Sequence, residues 1–372
     1  MKIAINCAFF LPRGGGIAEY IRNLVANIEA IDTENEYLLY VLKDMEQYAK
    51  DNLTKRFRVK AMPYAATYWG KISRSMFEQT FWNREEKTER FDIFHSPFFH
   101  SPHFKKAKVI MTVHDLRFYR YPRTYSFPRY LFLKYKVRKS LKAADHIITI
   151  SDFTKSELTE AYSLPDEKIT VVHEAINQER FNAVTSDWDE MPTVGKEYIL
   201  SVGHVEPRKN FERLIMAFER LKEDKAFPNL KLVIVGQKGH HYKRFLKKVG
   251  ENPDVLYTDF VSHGQLLWLY KHAQLFVFPS IYEGFGFPPL EAGCLGTVSA
   301  VSNVSSIPEV CGDAAAFFNP YNVDEMASVI LKCLTDDGYR SELKERMDKQ
   351  LLRFSWKENA MQTIEIYKNV GR

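Results

Sequence analysis

Short apolar runs alternate with amphipathic stretches along almost the whole chain. In the first half, Lys2–Cys7 reads as a strand and Gly14-Gly15-Gly16 as a turn. Ile17–Ile31 then carries Ile17, Ile21, Leu24, Val25 and Ile28 at the spacing of one helix face. Tyr37–Leu42, Asp92–His95, Val109–Val113, His146–Ile150 and Ile169–His173 read as further short strands, with helical patterns between several of them. Residues 177–196 lose this periodicity and contain Asn, Asp, Ser, Pro and Gly, as a linker does.

The alternation restarts after the linker. Tyr198–Val202, Leu230–Val235, Val255–Tyr257, Leu275–Phe278 and Thr297–Val301 read as strands. Helices are expected over Asn210–Lys222, His263–His272, Pro288–Cys294, Val323–Thr335, Tyr339–Leu351 and Trp356–Asn369. Strands that alternate with helices imply parallel sheets covered on both faces. The fold class is therefore α/β, with two Rossmann-like domains, residues 1–176 and 197–354. Ligands of such sheets bind at the carboxyl ends of the strands, and a cleft between two of them can take two substrates.

A chain of 372 residues is long enough for two cores. No apolar run approaches the ~20 residues that span a bilayer, and the start lacks the apolar stretch and cleavage site of a secretory signal. Cys7, Cys294, Cys311 and Cys333 are scattered and form no metal or CxxC spacing. Free thiols in a reducing compartment are the expectation, so the protein is placed in the cytoplasm. The formal charge of +5 is mild but uneven. Between Lys105 and Lys142 there are twelve Lys/Arg and one acid, Asp115, with Phe118, Tyr119, Tyr121, Tyr125, Phe127, Tyr130, Phe132 and Tyr135 interleaved. Such a patch suits an anionic membrane surface or a phosphate-bearing acceptor. The competing reading is a solvated helix face with aromatics under lysine stems.

Four segments carry candidate chemistry. In Phe278-Pro279-Ser280-Ile281-Tyr282-Glu283-Gly284-Phe285-Gly286, a buried strand runs into a glycine turn, and a helix opens at Pro288. Backbone N–H groups and the dipole at that helix start favour a phosphate, while Glu283 and Glu291 can grip sugar or ribose hydroxyls. The second segment, Gly203-His204-Val205-Glu206-Pro207-Arg208-Lys209-Asn210, repeats the strand–glycine–helix pattern. Arg208 and Lys209 there would neutralise charge on a leaving diphosphate. The third, Arg13-Gly14-Gly15-Gly16, lets a ligand approach the backbone but fits neither a Walker loop nor GxGxxG, because Glu19 stands where the last glycine belongs. In the fourth, His114 and Asp115 end an apolar strand, where a histidine could donate to a substrate oxygen.

Other groupings carry less. His95, His100 and His103 lack helical metal spacing and a carboxylate cluster. Asp187-Trp188-Asp189 is a DxD, but it lies in the expected linker, away from any strand end. There is no GxSxG, and no recognised nucleic-acid motif.

Together these segments resemble the family-four retaining glycosyltransferases of GT-B fold, over essentially the whole chain. The resemblance is most specific at Glu283-Gly284-Phe285-Gly286 with Glu291, and at Glu206-Pro207-Arg208-Lys209-Asn210. It implies two facing domains and a last helix, residues 355–372, that crosses back to the first. It further implies that Arg208 and Lys209, in the turn that Gly203 opens, bind the donor diphosphate. By the same resemblance Glu283 and Gly284–Gly286 meet the transferred sugar and phosphate, and Glu291 the ribose. His114 lies near the reacting sugar with Asp115 beside it, and Gly14, Gly15 and Gly16 border the acceptor. No metal is used and no cofactor is expected; the co-substrate is a GDP- or UDP-linked sugar, with GDP-mannose a frequent donor among bacterial surface-polysaccharide enzymes. Acceptors are glycans or lipid-linked saccharides at the inner membrane face. The chain departs from the family after its sixth expected strand, where His173-Glu174-Ala175-Ile176-Asn177 replaces a Pro-Asn-Gly hinge. Two other readings compete: a sugar-nucleotide epimerase of similar fold, and a non-enzymatic module that binds anionic polymer.

Overall fold

The continuous apolar runs become strands buried on both faces, as parallel sheets require. In the computed structural model, residues 1–12, 14–178, 181, 191, 194, 195, 197–223, 227–239 and 242–371 are described. They form two compact units, Met1–Ala175 with Ser355–Arg372, and Ile176–Phe354. Most of the 177–196 segment lies outside the described residues, as do Arg13 and the Asp187-Trp188-Asp189 triplet.

The first unit holds β1 (Lys2–Asn6), β2 (Glu36–Leu42), β3 (Arg58–Met62), β4 (Ile93–Ser96), β5 (Lys108–Val113), β6 (His146–Thr149) and β7 (Ile169–Val171). All pair in parallel in the order β3-β2-β1-β4-β5-β6-β7. Ile3 lies between Tyr37 and Ile93, so the chain reverses its winding between β1 and β4. Strand β3 was absent from the sequence reading for a physical reason. It is an edge strand, and of Arg58, Val59, Lys60, Ala61 and Met62 only Met62 is buried. Trp82 anchors the core over one face, its ring 4.7 Å from those of both Tyr40 and Phe94.

The second unit repeats the design with β8 (Tyr198–Val202), β9 (Lys231–Val235), β10 (Val255–Thr258), β11 (Leu275–Phe278), β12 (Ser299–Ser302) and β13 (Ala316–Phe318). Their order is β10-β9-β8-β11-β12-β13, again parallel, with the reversal between β8 and β11. Strand β13 spans only Ala316, Phe317 and Phe318, too short for its periodicity to show. Thr297, expected to open β12, instead donates its hydroxyl to the Tyr270 carbonyl at 2.6 Å.

Local signals explain the helix boundaries. Ser262 and Gln265 make a reciprocal capping box at the start of His263–His272. Phe354 and Trp356 mark a real break. Phe354 packs on Phe285 at 5.3 Å within the second unit, whereas Trp356 packs on Tyr20 at 5.9 Å within the first. The last helix, Trp356–Val370, is capped by Ser355 and lies against Gly16–Ile31. Its Tyr367 hydroxyl lies 2.6 Å from His95 Nδ1 on β4. Among the described residues, no helix is long and apolar enough to cross a membrane.

Candidate active site

In the second unit the winding reversal sets the loops after β8 and β11 side by side, where doubly wound sheets bind ligands. The backbone joins them: Ile281 N donates to Arg208 O at 2.8 Å. A tight turn, Pro207–Lys209, ends at Asn210 with φ +59, and the Asn210 side chain donates to Pro320 O at 2.8 Å. That anchor starts the helix Phe211–Glu223 and fixes the direction of the two cations before it.

Both cations converge on Glu283. Lys209 Nζ lies 2.6 Å from Glu283 Oε1, and Arg208 Nη1 lies 2.9 Å from Oε2 and 3.1 Å from the Tyr282 carbonyl. Arg208 Nε pairs with Glu206 at 3.0 Å. The Lys209 ammonium also sits 4.8 Å from the Phe278 ring centre. Burial alone would raise the Glu283 carboxyl, but the charges of Lys209 and Arg208 outweigh it and hold the group at about 2. Burial draws Lys209 below the ordinary lysine range, against the pull of Glu283. Gly203 serves this arrangement. A Cβ there would come within 2.9 Å of Lys209 Cε, so the lysine stem lies along bare backbone.

The loop around Glu283 is braced from β12. Ser306 donates to the carbonyls of Glu283 at 3.0 Å and Phe285 at 2.7 Å, and Glu283 N donates to Ser305 Oγ at 3.2 Å. Gly286, at φ +104, precedes the helix Phe287–Cys294, which has no side-chain cap. Two prolines thin the backbone N–H groups expected at this helix start. Its second and third residues are Pro288 and Pro289, so of its first four residues only Phe287 and Leu290 carry an N–H. Glu291, farther along, accepts from the Tyr270 hydroxyl at 2.8 Å.

In the first unit, His114 leaves β5 beside β4. Its Nδ1 lies 2.8 Å from Glu174 and its Nε2 lies 3.0 Å from the Pro97 carbonyl. Burial would lower the imidazole pKa, but the hydrogen bond and charge of Glu174 raise it above the usual value. Both nitrogens therefore face protein acceptors, which corrects the expectation of a free N–H for a substrate oxygen. Glu174 fixes the ring and favours its protonated form. Asp115 does not join it; Asp115 accepts from Arg117 N at 2.9 Å and closes a turn. Gly14, Gly15 and Gly16 line a cavity of about 530 Å³ with Phe9, Arg74 and Arg117.

His95 and His100 are held within the fold. His95 is fully buried, its Nε2 lies 2.8 Å from Thr112 Oγ1, and burial pulls its pKa down to about 3, helped by the charge of His114. His100 bridges Ser140 and Glu78, each at 3.1 Å. The basic region between Lys105 and Lys142 splits. Phe118 is core, whereas the helix Phe127–Ala143 leaves Phe127 71% and Tyr135 65% exposed, so its aromatics do not all lie beneath lysine stems.

Sequence reasoning assigned no role to Glu206, Ser305, Ser306, Tyr270 or Glu174. The Ser305-Ser306 pair ahead of a short helix was a legible strand–turn–helix signal. Glu174 falls within the departure from the family hinge, 60 residues from the histidine it holds, and nothing local marked it.

Comparison with known proteins identifies the family and the fold. Residues 186–350 match the family of glycosyl transferases group 1, and residues 14–180 match glycosyltransferase family 4. O-antigen chain mannosyltransferase B from Escherichia coli is 31% identical over 285 residues, 74% of each chain. The serotype-specific mannosyltransferase WbdA of the same organism is 33% identical over 232 residues, which cover 60% of this chain and 28% of that longer protein. Among solved structures, sucrose-phosphate synthase from Thermosynechococcus elongatus superposes with a TM-score of 0.76 at 18% identity, covering 100% of this chain and 99% of its own. Anabaena HepE, solved with UDP and glucose, gives 0.71 at 14% identity, covering 99% of this chain and 100% of its own. With two parallel Rossmann-like sheets, matches to both family profiles and a relative of this similarity, the chain belongs to the family-four glycosyltransferases and has the GT-B fold.

Proposed function

We propose that this glycosyltransferase moves a hexose, with mannose from GDP-mannose as the first candidate, from a nucleotide diphosphate onto a glycan or lipid-linked saccharide in surface-polysaccharide synthesis. The observation that carries the reading is the buried Arg208–Lys209–Glu283 cluster at the winding reversal of the second sheet. Two cations held at fixed positions beside glycine backbone suit a diphosphate, and the resemblance to O-antigen mannosyltransferases supports the sugar.

In this reading the bond from the anomeric carbon to the β-phosphate oxygen breaks with retention. The new bond forms to an acceptor hydroxyl oxygen on the same face, and that hydroxyl's proton passes to the leaving phosphate. Charge that builds on the diphosphate is met by Arg208, Lys209 and the N–H groups near Gly284–Phe287, with no metal. Glu291 takes the ribose hydroxyls, and His114, held by Glu174, acts near the sugar. Mutational precedent puts one such preorganised contact at about 3–4 kcal/mol. The enzyme works in the cytoplasm at the inner membrane face, where the basic-aromatic helix Phe127–Ala143 meets anionic lipid.

The test is a thermal-shift panel of GDP-, UDP-, ADP- and dTDP-sugars with and without chelator. A midpoint rise with one nucleotide, unchanged by chelator, supports the reading and names the base. A rise that disappears with chelator removes metal independence, and no rise with any of them removes the donor site. Conversion of the nucleotide sugar without acceptor would favour the epimerase instead.

A further inference from the structure

A cavity of about 1000 Å³ opens in the second unit, beside the turn that carries the donor cations. Its walls come from the first turns of two neighbouring helices, Phe211–Glu223 and Tyr242–Glu251. Glu206, Pro207 and Asn210 line it, but Arg208, Lys209, Glu283, Gly284–Gly286 and Glu291 do not. It is therefore a neighbour of the donor cluster and not a part of it. The buried rings of Phe211 and Phe245, 5.9 Å apart, and the buried Val205 give it an apolar base. Met216 adds a thioether that is 43% exposed, a flexible apolar surface that adapts to what lies on it.

The lining carries four cations, Arg213, Lys243, Arg244 and Lys248, and two acids, Glu206 and Glu212. Both acids are already engaged, Glu212 by Arg244 at 3.0 Å and Glu206 by Arg208 at 3.0 Å. Arg213 donates to Asn210 Oδ1 at 3.0 Å and lies over the Tyr321 ring at 5.5 Å, contacts that fix its direction and leave its charge in place. Among the described residues, Arg213, Lys243 and Lys248 form no ion pair. A neutral sugar would use the rings but not these charges, and an inorganic anion would use the charges but not the rings. An organic anion uses both.

We propose that this cavity binds an organic phosphate, an aromatic or hydrocarbon body that carries the anion, at a site additional to those of donor and acceptor. The body lies against Phe211, Phe245 and Met216, and the phosphate meets Arg213, Lys243 and Lys248. The site stands on its own lining and does not rest on the transferase reading.

The test is calorimetric titration of the full chain with naphthyl phosphate, hexyl phosphate, inorganic phosphate and naphthol. At least one organic phosphate should bind, with inorganic phosphate and naphthol each weaker by about tenfold or more. Tighter naphthyl phosphate assigns an aromatic body to the ligand, and tighter hexyl phosphate a hydrocarbon one. Met216→Glu sets a carboxylate against the ligand at a half-exposed position, so it should weaken binding by about tenfold or more while the denaturant melt stays unchanged. Lys243→Gln combined with Lys248→Gln should weaken it by a similar factor. Lys247→Gln, on the same helix but outside the lining, and Lys209→Gln, in the donor cluster, should leave it intact. Equal affinity for inorganic phosphate, undiminished binding in Met216→Glu, or no binding of either organic phosphate overturns the proposal. So does loss in Lys209→Gln, which would return the ligand to the donor cluster.

Discussion

The two units hold their buried charges in different ways. In the second unit Arg208 and Lys209 are compensated in advance by Glu206 and Glu283, all four side chains at most 16% exposed. In the first, the buried pair is one histidine and one carboxylate, His114 and Glu174, 2.8 Å apart. A compensated cluster keeps buried charges in one geometry but presents little net field. A histidine–carboxylate pair changes its net charge whenever the ring loses its proton. The contrast teaches that counting lysines and arginines along the sequence misjudges both sites. The Lys105–Lys142 run is the most basic stretch, yet the cations of the candidate site, Arg208 and Lys209, lie in one short turn beside Glu206.

The contrast is broken most directly at Lys209. Removing its ammonium deletes one preorganised contact to developing phosphate charge, so Lys209→Ala should lower kcat by about 10²–10³-fold. Steady-state rates at a temperature where a denaturant melt shows the variant folded would establish this, and normal turnover would dismiss the cluster as structural. Glu283→Gln sharpens the same point from the other side. Removing one partner of a buried pair costs about 3–5 kcal/mol of stability, visible in denaturant melts. It also frees two cations, so nucleoside diphosphate binding should hold or tighten while turnover falls. Weaker nucleotide binding in this variant would show that Glu283 does not restrain the pair.

The units should also answer differently to pH. Glu283 titrates at about 2 when folded, against 4.5 for the ordinary group, so its contribution is full above pH 4.5 and lost as pH falls towards 2. His95 sits at about 3 against 6.5, so the fold gains stability as pH rises from 3 to 6.5 while the unfolded chain gives up its proton. His114 has the reverse sign. Its raised pKa contributes below 6.5 and is lost as pH climbs through the folded value. Glu174→Gln should therefore cost about 1–3 kcal/mol near pH 6 and less as pH climbs through the folded value. Melting curves across that rise in pH would decide it, and an equal loss throughout would mean that the pair is not ionic.

Much of this was legible in the sequence where function rests on a contiguous turn. Arg208, Lys209 and Glu283 stand in two short motifs, and the parallel βα alternation implies that such turns meet at one sheet edge. The strands with long apolar runs were equally legible. Strands β3 and β13 were not, because one has a single buried residue and the other only three residues. Glu174, Arg74 and Arg117 were not assigned either. Each comes from a different element, and only tertiary packing brings Glu174 to His114 or the two arginines to one cavity. The two prolines after Gly286 were in plain view, but their cost in N–H donors emerges only once the helix start is placed at Phe287.

The smallest effect concerns how the first unit holds the last helix. Burial keeps Tyr367 protonated, and its hydroxyl lies 2.6 Å from His95 Nδ1. The other nitrogen of the neutral ring, Nε2, lies 2.8 Å from Thr112 Oγ1, and Thr112 meets the Tyr20 hydroxyl at 3.2 Å. This chain ties the last helix to β4, β5 and Gly16–Ile31, and Tyr20 packs edge-on against His114 at 4.8 Å. Tyr367→Phe removes one hydroxyl and leaves the volume, so it should cost about 1 kcal/mol. Because His95 is already neutral, that loss should be the same at pH 6 and pH 8, unlike the loss in Glu174→Gln. If Tyr367→Phe instead shifted the pH dependence of turnover, the chain would be passing charge to His114 and not merely fastening a helix.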